Sequence, residues 1–151
     1  MTTSTGNGFI LHGSGHGQAR WTLSTPSRPT LMSGTATVVV AVETMADGTQ
    51  SFRRQTPLGR ICSHLTRLDD EDIVERIGPL TMTFTSHRRS TRQHLKLRNA
   101  EFLGVRVPTH LLDIDATIGQ EPTTATSVVR LNLGTRLTFT YQAHLILKDP
   151  Q

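Results

Sequence analysis

The sequence predicts an all-β protein, an antiparallel up-and-down meander closed into a barrel of about 8–10 strands, with a β-sandwich as the alternative. Three observations predict it. Apolar residues recur at every second position in segment after segment, the spacing that puts them on one face of a strand. Turn-forming residues break these segments at intervals of roughly ten residues. No stretch sustains the i, i+3, i+4, i+7 apolar pattern of an amphipathic helix. A barrel is preferred to a sandwich because closure removes the edges that long Thr- and Val-rich strands would otherwise expose.

Met1 to Gly8, rich in Thr, Ser and Gly, reads as a flexible tail, and residues 9–151 as a single β-barrel-like domain. Phe9 to Leu23 supplies one or two strands around Gly13, Gly15 and Gly17, glycines that mark a bulged strand or a close backbone approach. Ala36, Val38, Val40 and Val42 share a face and lead into Ala46-Asp47-Gly48-Thr49. Asp-Gly suits a type I′ hairpin, whose two central residues must tolerate positive φ. Strands over Gln50 to Thr56 and Gly59 to Leu68 follow, the second ending at Leu68-Asp69-Asp70. In Ile73 to Phe84 two extended segments hinge at Gly78-Pro79. Ile73, Glu75 and Ile77 share one side, as do Leu80, Met82 and Phe84. Further strands fit Gln93 to Leu103, His110 to Ile118 and Thr124 to Leu133, with turns at Arg89-Ser90-Thr91, Gly119-Gln120-Glu121-Pro122 and Leu133-Gly134-Thr135. A short helix fits between Arg106 and Leu112, limited by Pro108. The clearest strand is the last, with Leu137, Phe139, Tyr141, Ala143, Leu145 and Leu147 on one face.

At 151 residues the chain is long enough to bury one core. No apolar run approaches the roughly 18 residues needed to span a bilayer, and the first residues do not read as a secretory signal. Cys62 is the single cysteine, so an internal disulfide is excluded and a reducing, cytoplasmic location is expected. The net charge of +4 permits an anionic partner, yet the arginines are dispersed apart from Arg88, Arg89 and Arg92. Aromatic residues make up 5% of the chain, too few for the stacking platforms of a single-strand binder. Neither nucleic acid nor a membrane is therefore an expected partner.

Function is sought in the polar residues that interrupt apolar faces. Arg54 shares a side with Phe52, Ser63 with Ile61 and Leu65, Glu75 with Ile73 and Ile77, and Tyr141 with Phe139 and Ala143. The first three come from successive strands, spaced about 4.8 Å apart, so an inward Arg54–Glu75 pair is expected. Two readings follow. In one, the pair is a buried salt bridge that fixes register, with Ser63 and Tyr141 satisfying leftover hydrogen bonds. In the other, Glu75 is a general acid or base in a cavity, and Arg54 or Tyr141 holds a developing oxyanion. Ser63, Phe52, Met82, Phe84 and Phe139 would then line the substrate site. Ser63 has no histidine on its own face and does not read as a hydrolase nucleophile.

No metal or cofactor is expected. His12 and His16, four apart in a strand, are separated by about 13 Å, too far to share a zinc. His64, His94 and His144 fall on polar faces, as do Asp113 and Asp115. The glycines of G-S-G-H-G lack the strand–turn–helix setting of a dinucleotide fingerprint.

The order of several landmarks resembles a bacterial family catalogued as domain of unknown function 4166. The landmarks are G-S-G-H-G at Gly13 to Gly17, Phe52-Arg53-Arg54, Ser63, I-V-E-R-I-G-P-L at Ile73 to Leu80, L-G-V-R-V-P at Leu103 to Pro108, and the closing Tyr141 strand. They span about Gly13 to Leu147. The resemblance departs at Phe52, where the family has Trp, and at Ala143, where it has Gly. Members of that family are often fused to saccharopine-dehydrogenase-like or short-chain-dehydrogenase-like modules, and the present chain is expected to be a stand-alone copy. The resemblance implies no established reaction.

The resulting expectation is a barrel that binds a small, largely apolar organic molecule, with a cofactor-free cyclisation or isomerisation as its chemistry if it is an enzyme. The alternative is a non-catalytic accessory domain that partners a dehydrogenase-like protein. A homodimer is compatible with either.

Overall fold

The computed structural model describes residues 14–46, 49–56, 59–68 and 72–148. The N-terminal tail, His12, Gly13, the Asp47-Gly48 turn and Asp69-Asp70 lie outside the described residues. The strands are β1 (Ser14–Thr25), β2 (Arg28–Thr44), β3 (Gln50–Thr56), β4 (Gly59–Arg67), β5 (Asp72–Ile77), β6 (Leu80–Arg89), β7 (Arg92–Phe102), β8 (Val105–Arg106), β9 (Leu112–Gln120), β10 (Thr124–Leu133) and β11 (Leu137–Lys148). All join one 11-stranded sheet in which each strand pairs with its chain neighbour, apart from β8, which hangs on β7 while β9 takes its place in the ring. The remaining ten strands close, because β6 also pairs with β7 and β1 pairs with β11 from Ser14↔Lys148 to Ser24↔Thr138. The barrel, not the sandwich, is the architecture.

Two details depart from the sequence reading. β2 begins at Arg28, eight residues before the apolar alternation that starts at Ala36. Its first half carries Pro29, Ser33 and Gly34 and is largely exposed, so it offers no hydrophobic period to read. The helix expected between Arg106 and Leu112 is replaced by β8 and a turn in which the Leu111 amide donates to the Pro108 carbonyl, 3.0 Å away. No helix among the described residues is long and apolar enough to cross a membrane.

Alternation sends Ala19, Val38, Val40, Ala125, Ala143, Leu145 and Leu147 inward as one buried cluster. A second cluster forms around Ile73, Met82, Phe84, Leu95, Ala100, Ile114 and Ala116. The interior is graded along the barrel axis. Toward the strand ends at Gln50, Arg89, Arg92 and Lys148 most inward positions are buried, with Val42, Leu65 and Ile118 half-buried, and an amide-to-hydroxyl bond from Gln93 Nε2 to Ser86 Oγ, 2.7 Å long, helps close that end. Toward the opposite end Trp21, Leu23, Ile77, Leu80, Leu131, Leu137 and Phe139 point inward yet remain half-exposed. The first end is the more closely packed, and we term the second the mouth.

The seam between first and last strands needs residues without side chains. A Cβ at Gly17 would overlap the His144 carbonyl oxygen, and one at Gly15 would lie 3.0 Å from the Ile146 carbonyl oxygen. This is the close backbone approach expected of the G-S-G-H-G segment. Gly17→Ala is therefore predicted to destabilise the fold by at least about 2 kcal/mol, since the obstacle is backbone and cannot rotate away. Urea unfolding measures the difference, and Gly15→Ala should cost less.

Candidate functional site

Arg54, Ser63 and Glu75 lie on β3, β4 and β5, three consecutive neighbours in the sheet. They are not directly opposite one another. Arg54 faces Ile61, Phe52 faces Ser63, and Leu65 faces Glu75. A long guanidinium can reach along that diagonal where a shorter cation could not. Arg54 Nη2 donates to Ser63 Oγ at 3.0 Å and to Glu75 Oε2 at 2.9 Å. The guanidinium also lies over the Phe52 ring, 5.6 Å from its centroid. Phe52 thus supports the cation from below while Ser63, fully buried, fixes its direction.

The pair is only partly dry. The side chains of Arg54 and Glu75 are 32% and 15% exposed, and because both face inward, that exposure is to the lumen. Arg54 Nε is buried without a hydrogen-bond partner among the described residues. The guanidinium therefore has donor capacity that protein atoms do not use.

Tyr141 enters from β11, flanked in the sheet by Trp21 and Val129. Burial pushes its phenol pKa above 10.0, and the nearby positive charge of Arg54 opposes that rise. Trp21 stacks on Phe139 with centroids 6.2 Å apart and planes at 24°. Gly34 on β2 makes room for the indole, because a Cβ there would come within 2.9 Å of it. Sequence reading passed over Trp21, Gly34 and Leu23. The available signal was parity, since Trp21 and Leu23 share the inward face of Ala19.

The residues selected from sequence thus separate into distinct places. Arg54, Ser63 and Glu75 are in contact, and Phe52 underlies them. Tyr141 is within electrostatic reach of Arg54. Phe139 is on the mouth wall with Trp21. Met82 lies directly across from Glu75, and Phe84 across from Ile73. Both are buried in the second core cluster, against which Ile77, Leu80 and Leu131 of the mouth pack. Neither a cavity of about 20 Å³ between β7 and β9 nor a shallow depression of about 430 Å³ on the outer wall of β1, β10 and β11 touches Arg54 or Glu75.

Elsewhere, His94 Nε2 and Asp115 Oδ1 lie 2.6 Å apart on the outer face, where Lys96 approaches Asp113 and Asp115 at 3.7 and 3.9 Å. The wet-face aspartates are thus engaged by surface cations. Among the described residues no group of three or more His, Cys, Asp or Glu side chains could hold a metal ion.

No family model matches the chain, and no curated protein matches it. Solved structures do. The chain is similar to Rv2717c from M. tuberculosis, with a TM-score of 0.64, 14% identity, and coverage of 92% of this chain and 93% of that one. It is also similar to a protein of unknown function from the DUF3598 family of Nostoc punctiforme, with a TM-score of 0.67 and 10% identity. That match covers 92% of this chain and 48% of the Nostoc chain, so the present chain spans about half the length of that protein. At these identities the likeness establishes the barrel fold.

Two outcomes follow from the geometry. Arg54→Met, which leaves Glu75 without its partner, is predicted to destabilise the fold by about 1–3 kcal/mol, less than for a fully buried pair because both groups reach the lumen. The double variant Arg54→Met with Glu75→Met should recover most of that loss in chemical denaturation. Tyr141 is the only tyrosine, so ultraviolet absorbance reads its ionisation directly. Its midpoint is expected above the ordinary value and should rise further in Arg54→Met, because the charge that opposes the rise is gone. The linked stability is intact below the unfolded pKa of about 10 and is lost as pH climbs from there toward the folded value.

Proposed function

We propose that the barrel binds a small, largely apolar organic molecule in its open mouth, with the molecule's polar end set against Arg54, Glu75 and Tyr141. The observation that carries this reading is the graded interior. Inward side chains are packed more closely at one end than at the other, around an ion pair whose two side chains stay partly exposed. Apolar walls with a few convergent polar groups are the usual make-up of a small-molecule site. Half-exposed Trp21, Leu23, Leu131 and Phe139 would gain the burial they lack when such a molecule enters.

The likeness to Rv2717c and to the Nostoc protein of unknown function bears on the fold alone, so catalysis is a further step within this proposal. In that step Glu75 moves a proton and Arg54 or Tyr141 stabilises developing negative charge on oxygen, the requirements of a cofactor-free cyclisation or isomerisation. Glu75→Gln should then abolish conversion of the bound compound while leaving its binding intact. Unchanged conversion would remove Glu75 from the chemistry.

Binding itself is tested with 1-anilinonaphthalene-8-sulfonate, an apolar probe with an anionic end. Trp21 is the only tryptophan and lies on the mouth wall, so energy transfer from it reports occupancy. Saturable one-to-one binding with transfer from Trp21, weakened in Arg54→Met, is expected. A weak signal that does not saturate, or one indifferent to Arg54, would count against the site.

A further inference from the structure

The mouth carries apolar side chains that no other described residue covers. At the tip of the β7–β8 hairpin Phe102, Leu103 and Val105 are 49%, 72% and 69% exposed. Leu111 and Leu133 lie beside one another on the same rim, joined by the Gly134 amide donating to the Leu111 carbonyl at 3.0 Å. Across the ring, Leu31 and Met32 of β2 are 39% and 56% exposed at the same end.

The hairpin tip is also conformationally odd. Leu103 and Gly104 have φ of 54° and 80°. A two-residue turn with positive φ at both positions favours Asn-Gly, and leucine is a poor occupant of the first place. Its unfavourable backbone region brings no internal packing in return, since the side chain points to solvent. An exposed leucine kept in a strained turn is understandable if its partner lies outside the chain.

Charge narrows the choice of partner. The same end presents Arg28, Arg60, Arg76, Arg106 and Arg136, all exposed and with no ion pair among the described residues. The acidic residues near them are Glu101 and Asp113, and Lys96 already approaches Asp113 at 3.7 Å. A second copy docked face to face would set arginine against arginine. A protruding apolar tip ringed by unpaired cations instead suits a surface that is greasy beneath and negative on top.

We propose that the mouth end of the barrel docks on an anionic lipid bilayer, with the Phe102–Val105 tip among the acyl chains and the rim arginines on the headgroup phosphates. The sequence expectation of no membrane partner rested on the lack of a spanning segment, which a peripheral contact does not require. The docking would place the mouth against the phase in which apolar molecules dissolve, although it does not depend on the mouth holding a ligand.

The test is flotation of the full chain with vesicles of phosphatidylcholine alone or phosphatidylcholine mixed with phosphatidylserine. Binding to the anionic vesicles that weakens with salt is expected. Leu103→Asn should retain or raise the melting temperature, because asparagine accepts the turn geometry, and should lower vesicle partition by roughly tenfold or more. Arg106→Gln and Arg136→Gln should each lower it about fivefold. No binding of the parent chain to anionic vesicles overturns the proposal, as does a Leu103→Asn variant that binds equally well. Self-association that Leu103→Asn disrupts, without any vesicle dependence, would assign the rim to a second copy and overturn it too. Probe binding indifferent to Arg54→Met, with vesicle binding retained, would count against the mouth as a ligand site and leave the docking face standing.

Discussion

The hydrogen bonds that run from Ser14↔Lys148 to Ser24↔Thr138 join the first strand to the last, and that pairing is what divides the molecule into an inside and an outside. Without it, Arg54 and Tyr141 would sit near opposite margins of an open sheet. With it, a residue on β3 and one on β11 share a lumen, and the positive charge of one acts on the phenol of the other. The seam is possible because Gly15 and Gly17 let the backbone of β1 press against carbonyls of β11 where any side chain would intrude. Closure is thus a property of a few small residues, while the alternation of larger ones decides what the closed volume contains.

Inside the barrel, packing and polarity are arranged in layers. Small and branched residues fill the shut end, and the amide and hydroxyl of Gln93 and Ser86 satisfy each other there. Higher up, Arg54 joins Ser63 and Glu75 and rests on Phe52, so a single charged side chain ties three strands together. Above it the walls are apolar and incompletely covered. A salt bridge kept only to fix register would be expected beneath the core, dry and fully hydrogen-bonded. This one leaves the Arg54 and Glu75 side chains 32% and 15% exposed, which favours a pair that an incoming molecule can reach.

Much of this was legible in the sequence because strand parity is strict. Residue numbers alone placed Arg54, Ser63, Glu75 and Tyr141 on inward faces, and Gly15, Gly17, Gly78 and Gly134 marked turns or close approaches. Parity does not, however, say how deep in a barrel a residue lies. Met82 and Phe84 share the parity of the site and are buried in the second core cluster, a depth that residue numbers alone do not give. The exposed start of β2 and the Leu103-Gly104 turn escaped notice for a related reason. Both break local rules, the first by lacking a hydrophobic period and the second by placing leucine where asparagine is at ease. The helix expected before Leu112 gave way to a turn at Pro108, whose ring forbids the backbone hydrogen bond a helix would need there.

The mouth is where these observations meet, since the unsatisfied guanidinium, the half-covered aromatic wall and the apolar, arginine-bearing rim all belong to one end of the barrel. The most direct measurement of the central claim is native mass spectrometry of the chain after incubation with a lipid-soluble cell extract. The account predicts a single small-molecule adduct per chain, released when the barrel is unfolded. A bare chain across varied extracts, at concentrations where the fold is intact, would contradict it.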